Sequence, residues 1–208
     1  MTLPSEALVL QSLDYLGVFV FALSGAVMAI RKEMDFFGAL VLALMPAVGG
    51  GTLRDLVLDV PVFWLEDRTY LVLTLIASCV AWVALPWVER VRRLMLWSDA
   101  LGLAVFCVLG ASKTLDVVGL PSIAIMMGVV TAVAGGMARD VIANEIPLIM
   151  QREIYATAAF AGASVYVLLQ PVDPSSAVAA GFLTALLLRA VGMLRGWSLP
   201  KRRGSRSL

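Results

Sequence analysis

The chain has 208 residues, 61% of them hydrophobic and 15% charged, a formal net charge of +1 and no histidine; its mean hydropathy is +0.92. An apolar content this far above the roughly 45–50% of ordinary soluble domains excludes a water-soluble globule and places the chain in a bilayer. The missing histidine, with no Ser-Lys, Cys-His or paired-carboxylate arrangement inside one apolar segment, argues against an intramembrane enzyme.

The opening MTLPSEALVLQSLD is acidic rather than basic, which predicts no cleaved signal peptide. Seven intervals then lack any Asp, Glu, Lys or Arg: 15–30, 36–53, 69–88, 100–112, 117–138, 154–172 and 174–188. Most approach the roughly 17–25 residues a membrane-crossing helix needs, so the predicted fold is all-α with seven transmembrane helices. The first span ends at Arg31 and Lys32. The second carries Pro46 and the run AVGGGTLRDL, with Gly49, Gly50 and Gly51 followed by Arg54 and Asp55. The fourth is short unless Lys113 is counted inside it, which singles out that lysine. The fifth repeats the motif as AVAGGMARDV, with Gly135, Gly136, Arg139 and Asp140. Cys79 and Cys107 fall in mid-span and read as small buried hydrophobes. Trp64, Trp87, Trp97 and Trp197 fall at span ends, where an indole suits the headgroup level. The tail after the seventh span, LRGWSLPKRRGSRSL, is basic enough to rest on anionic lipid; nothing in it indicates nucleic-acid binding.

Alternate connections collect the positive charge: Arg31, Lys32, Arg90, Arg92, Arg93 and Arg152 join the basic tail on one side. The positive-inside bias therefore predicts an outer N-terminus and a cytoplasmic C-terminus in a cell membrane.

The two glycine motifs belong to a longer repeat. Asp14/Asp99, Gly17/Gly102, Phe21/Phe106, Gly25/Gly110, Gly50/Gly135, Arg54/Arg139 and Asp55/Asp140 all stand 85 residues apart. Past the motif, DLVLDVP and DVIANEIP continue the match if one residue is inserted, pairing Pro61 with Pro147. Three spans per repeat is an odd number, so the second copy enters the membrane from the opposite side. The predicted organisation is a first three-helix repeat at 12–92, a second inverted one at 97–172, a seventh helix at 174–195 and a basic tail at 196–208.

Glycine weakens a helix by about 1 kcal/mol relative to alanine, and Pro46 removes a backbone donor. One reading is a pair of broken or kinked helices whose carbonyls near Gly50 and Gly135 meet a transient monovalent cation. The other is close helix packing through small residues. Neighbours on a helix do not face each other, so each charge of the Arg-Asp pairs is expected to find its partner elsewhere. Inverted symmetry suggests Arg54 with Asp140 and Arg139 with Asp55; helix-end caps and lipid phosphate are the alternatives. Lys113 reads as a gating charge or as a snorkelling lysine. The Thr52 and Thr131 hydroxyls either line the path or bond back to their own helices.

With FALSGA, GGGTLRDL, AGGMARDV, VPVFWLED and ANEIPLIMQREIYATAA, the chain resembles a bacterial member of the trimeric intracellular cation (TRIC) channel family, also labelled glycine transporter-like. The resemblance implies a homotrimer in membrane lipid, with one pore per protomer between kinked second and fifth helices, no cofactor, and K⁺ and Na⁺ as permeant ions. It assigns Gly49, Gly50, Gly51, Gly135 and Gly136 to the kinks and Lys113 to the basic gating region. Arg54, Asp55, Arg139 and Asp140 match the charged motif ends. GGGTLRDL stands where animal members carry a Lys-Glu-Val motif, so phosphoinositide dependence is not implied. A secondary transporter of a small solute such as glycine is the alternative, since inverted repeats also serve alternating access.

Overall fold

A computed structural model of the protein describes residues 4–84, 91–151 and 154–197. Trp87, Arg90, Arg152 and most of the basic tail lie outside the described residues. The described residues form eight α-helices and no strand: α1 (Pro4–Arg31), α2 (Phe36–Val57), α3 (Phe63–Glu66), α4 (Thr69–Ala84), α5 (Val91–Val118), α6 (Pro121–Ile142), α7 (Ala156–Leu169) and α8 (Pro174–Arg195). A short 3-10 turn, Leu148–Met150, precedes α7. Five helices, α1, α2, α5, α6 and α8, are long and apolar enough to cross a membrane, whereas α4 and α7 are shorter apolar helices. The protein is an all-helical membrane protein.

Local chemistry sets the helix ends. Asp35 caps α2 by accepting from the Gly38 amide at 2.7 Å, and Asp173 caps α8 by accepting from Ser175 and Ser176. Pro121 and Pro174 occupy first-turn positions, where no amide donor is needed. After α2 and α6 the chain reverses through Asp59 (φ 53) and Asn144 (φ 54), residue types that tolerate the left-handed region. The same backbone bonds flank both reversals: Val60 N to Asp55 O, and Glu145 N to Asp140 O. These matches keep the 85-residue spacing with no inserted residue, so the proposed pairing of Pro61 with Pro147 is off by one.

Two expectations change. Charge-free intervals understate α1 and α5, because Asp14 lies within α1, and Arg92, Arg93, Asp99, Lys113 and Asp116 lie within α5. The motif helices are also unbroken: α2 runs through Pro46 and Gly49 to Gly51, and α6 through Gly135 and Gly136, with no interruption.

Helix α5 sits at the centre. In its most apolar stretch 72% of the residues are buried, against 28% in α8, which packs on α7 and α5 at the outside. The glycines explain how the helices approach. A Cβ on Gly50 would strike the Thr131 carbonyl, and one on Gly135 would come within 2.7 Å of the Pro46 carbonyl. Likewise a Cβ on Gly102 would enter the Phe21 ring, while one on Gly17 would meet Val105 and Phe106. Both sets of contacts are reciprocal and antiparallel: α1 against α5, and α2 against α6. Phe21 and Phe106, equivalent in the repeat, stack with centroids 5.3 Å apart. Close packing, the second reading of the glycines, is what the backbone geometry shows. The carbonyl that Pro46 leaves without its usual helical donor, that of Leu42, faces Gly25 of α1.

Cys107 is buried and donates weakly to the Ala104 carbonyl, while Cys79 is outward-facing rather than buried as expected.

Candidate functional site: two polar clefts

The end of each motif helix carries one polar cluster. In the first, Asp55 is fully buried and organises its surroundings. Its Oδ1 accepts from Arg54 Nε at 2.8 Å and pairs with Lys113 Nζ at 2.9 Å; its Oδ2 accepts from the Phe63 amide at 3.0 Å. Asp14 Oδ2 accepts from the Tyr70 hydroxyl at 2.8 Å. The Tyr70 ring meets Phe63 edge-on, and the Arg54 guanidinium stands 5.8 Å from the Phe63 centroid. Asp14, Arg54, Ser112, Lys113 and Asp116 line a cleft of about 450 Å³ at this end.

The second cluster is its counterpart and is more deeply buried. Asp140 Oδ1 holds Arg139 through Nε at 2.9 Å and Nη2 at 2.7 Å, and Asp140 Oδ2 accepts from the Leu148 amide at 3.0 Å. Arg139 Nη1 donates to Asp99 Oδ1 and Ser24 Oγ, each at 2.8 Å. The Tyr155 hydroxyl lies 3.4 Å from Asp99 Oδ1, and the Arg189 guanidinium stands 5.0 Å from the Tyr155 ring centroid. Arg139, Asp99 and Arg189 are fully buried. Beside this cluster, a cavity of about 60 Å³ is lined by Met28, Arg31, Arg92, Met95, Asp140 and Glu145 among others.

The expected cross-repeat pairs, Arg54 with Asp140 and Arg139 with Asp55, do not form; each arginine pairs with the aspartate next to it. The rule that adjacent helix residues diverge suits short side chains. An arginine in the last turn is long enough to fold its guanidinium back onto the following carboxylate, which the backbone amide eight residues on holds in place. Other bonds do cross the repeats: Lys113 on α5 to Asp55 on α2, Arg139 on α6 to Ser24 on α1, and Lys32 to Glu145.

The hydroxyls divide similarly. Thr131 is buried, bonds back to the Met127 carbonyl at 2.6 Å and packs on Gly110. Thr52 bonds back to Val48 and also accepts from the Trp64 indole at 2.9 Å. Ser24, a span hydroxyl, bonds back to the Phe21 carbonyl at 2.7 Å besides accepting from Arg139. Sequence reasoning missed Asp99, Tyr70 and Tyr155 as members of the clusters. The signal was present: Asp14/Asp99 belongs to the repeat, and Tyr70 and Tyr155 are also 85 residues apart.

Outside the spans two carboxylates are shifted. Asp67 is held below the usual range, first by the Tyr15 hydroxyl at 2.6 Å and then by Thr69. Glu145 is lowered by the Lys32 ammonium, 2.7 Å away. Among the described residues no three His, Cys, Asp or Glu side chains converge on a metal-sized site. Both clefts offer mixed charge, and the first adds the Tyr70 and Ser112 hydroxyls, which suits weak, transient contact with an ion.

The sequence model of the family described as "Glycine transporter" matches this chain twice, at residues 11–86 and 96–171. The UPF0126 inner membrane protein YadS of Escherichia coli (strain K12) is 43% identical over 198 residues, covering 90% of this chain and 93% of the relative. A solved TRIC trimeric intracellular cation channel orthologue from Rhodobacter sphaeroides is 42% identical, covers 90% of this chain and 98% of its own, and superposes with a TM-score of 0.87. A prokaryotic TRIC channel solved in 0.5 M KCl is 30% identical, covers 93% and 100% of the two chains, and gives a TM-score of 0.88. With one sequence signature matched in both halves and solved channels superposing over nine-tenths of its length, the chain belongs to the TRIC cation channel family, the family of that glycine transporter model.

Proposed function

We propose that the protein is a passive channel for monovalent cations, K⁺ and Na⁺, with no cofactor and one conduction path in each protomer of a homotrimer. Solved relatives over nearly the whole chain are cation channels, and the chain is not an enzyme. The observation that carries the reading is the pair of polar clefts at opposite ends of the antiparallel α1/α5 pair, which share equivalent positions such as Lys113/Met28 and Asp116/Arg31. The path runs from one cleft to the other past the crossing of α2 and α6. In the present conformation Gly50 against Thr131 and Gly135 against Pro46 seal that crossing, so conduction requires the two helices to part or bend there. Carbonyls near Gly50 and Gly135, with Gly49, Gly51 and Gly136 beside them, would then meet the ion transiently.

The membrane arrangement follows. Helices α1, α2, α4, α5, α6, α7 and α8 supply seven spans, as two inverted three-helix repeats at 12–92 and 97–172 with a seventh helix at 174–195. Reciprocal antiparallel contacts and a family match recurring after 85 residues support this division. With a cytoplasmic C-terminus, the Arg31 cleft faces the cytoplasm and the Lys113 cleft faces outward.

Purified protein in planar bilayers tests the reading. Unitary currents whose reversal potential follows imposed K⁺ and Na⁺ gradients, and not the Cl⁻ gradient, are expected. Saturable solute exchange without unitary current would overturn it in favour of a carrier.

A further inference from the structure

The two clefts share several equivalent lining positions. Leu10, Phe63, Lys113 and Asp116 around the first correspond, 85 positions away, to Met95, Leu148, Met28 and Arg31 around the second. Their volumes nevertheless differ, about 450 Å³ against about 60 Å³. The side chains at the shared positions also differ. Lys113 and Asp116 border an open mouth, whereas Met28 and Met95, each only 3% exposed, fill the matching space. Arg31 lies over them with Nη1 at 3.9 Å from the Met28 sulfur and 3.8 Å from the Met95 sulfur. Thioethers are weak acceptors on flexible stems, so this seat holds the guanidinium loosely and can repack. The next residue, Lys32, pairs with Glu145 and ties the end of α1 to the loop after α6.

We propose that Arg31, seated on Met28 and Met95 and fastened through Lys32 to Glu145, is a lid over the narrow cleft that restricts cation entry from that end. The inference rests on the channel reading above. Position 31 is opposite in charge to its counterpart: a guanidinium stands where the open cleft has the carboxylate of Asp116. A cation held over a narrow mouth repels an entering K⁺, while the acidic counterpart attracts one.

Two measurements on the full chain test the lid. In the first, Cys79 and Cys107 are replaced by alanine and single cysteines are placed at positions 28 and 113 of protein in vesicles. A membrane-impermeant methanethiosulfonate is supplied on both faces. Lys113→Cys is expected to react about tenfold faster than Met28→Cys, and adding Arg31→Ala is expected to raise the Met28→Cys rate by about tenfold, because modification follows access to the thiolate. An unchanged Met28→Cys rate in the Arg31→Ala background overturns the lid. The second is bilayer recording of Arg31→Gln in symmetric KCl, with Arg31→Lys as the variant that keeps the charge. Arg31→Gln is expected to raise current carried by ions entering at the Arg31 end about twofold or more and to leave entry from the Lys113 end unchanged. Currents present in the parent protein with no change of rectification in Arg31→Gln overturn the lid and leave the channel reading intact. No current in any variant overturns the channel reading, and the cysteine rates still decide whether position 31 covers the cleft.

Discussion

Asp55 and Asp140 hold the same place in the two halves, accept from the backbone amide eight residues on, and grip the arginine that precedes them. Their wider surroundings diverge. Asp55 has two cations, Arg54 and Lys113, at the edge of an open cleft. Asp140 has one, Arg139, which it shares with a second buried carboxylate, Asp99. The repeated scaffold fixes where a carboxylate is buried, and the unrepeated side chains decide whether that site is structural or mobile. In these terms Arg139 is a keystone and Lys113 a replaceable partner.

The comparison breaks most readily at the arginines. Arg139→Met strands Asp99 and Asp140 in the interior and is expected to cost about 3–5 kcal/mol of stability, the usual loss when one member of a buried ion pair is removed. Arg54→Met leaves Asp55 with Lys113 and should cost less than half as much. Denaturant unfolding in detergent micelles measures both, and equal losses would erase the distinction between the clusters. Next come the glycines. Gly50→Ala and Gly135→Ala press a methyl group against backbone and should each cost about 1–3 kcal/mol. Gly49→Ala places its Cβ 3.6 Å from Gly135 Cα, an ordinary contact, and should be neutral or stabilise by up to about 1 kcal/mol. If all three behaved alike, the crossing would not be held by positions 50 and 135.

Lys113→Met copies the residue found at the equivalent position 28. It should leave assembly intact and reduce the voltage dependence of opening by about one gating charge or less per protomer. An unchanged open-probability curve in bilayer recordings would dismiss a gating role. The smallest effect belongs to Lys32 and Glu145. This pair is partly exposed, with side chains 30% and 39% accessible, and its contribution is about 1 kcal/mol or less after solvent screening. Lys32 holds Glu145 below its ordinary 4.5, so the contribution is full above that value and is lost as pH falls through the lowered one. Glu145→Gln should therefore lower the unfolding free energy by about 1 kcal/mol or less at neutral pH, and its difference from the parent should disappear as pH falls well below about 4.5.

The repeat was legible because glycine, arginine and aspartate recur at one spacing, and the structure carries that spacing further, through Asp59 and Asn144. Span lengths were read short because charge was taken to end a span. Asp99 and Lys113 sit within α5 since each has a partner there, in Arg139 and Asp55. The partners of Arg54 and Arg139 were misread because helix geometry describes where Cβ atoms point, whereas a long side chain in a last turn can fold back along the helix. Lys113 was singled out by its depth and by the family resemblance. Its contact with Asp55 depends on how α5 crosses α2, which no local pattern encodes.

The reciprocal seating of Gly17 on Phe106 and Phe21 on Gly102 has a consequence for how such a chain can arise. A surface that meets an inverted copy of itself is self-complementary, so a single half carrying both the glycine and the phenylalanine would need no second interface to pair in antiparallel fashion. Joining the halves in one polypeptide then supplies a high effective concentration in place of a separate encounter. It also frees each copy to drift independently, which is how one membrane face could acquire a lysine where the other kept a methionine.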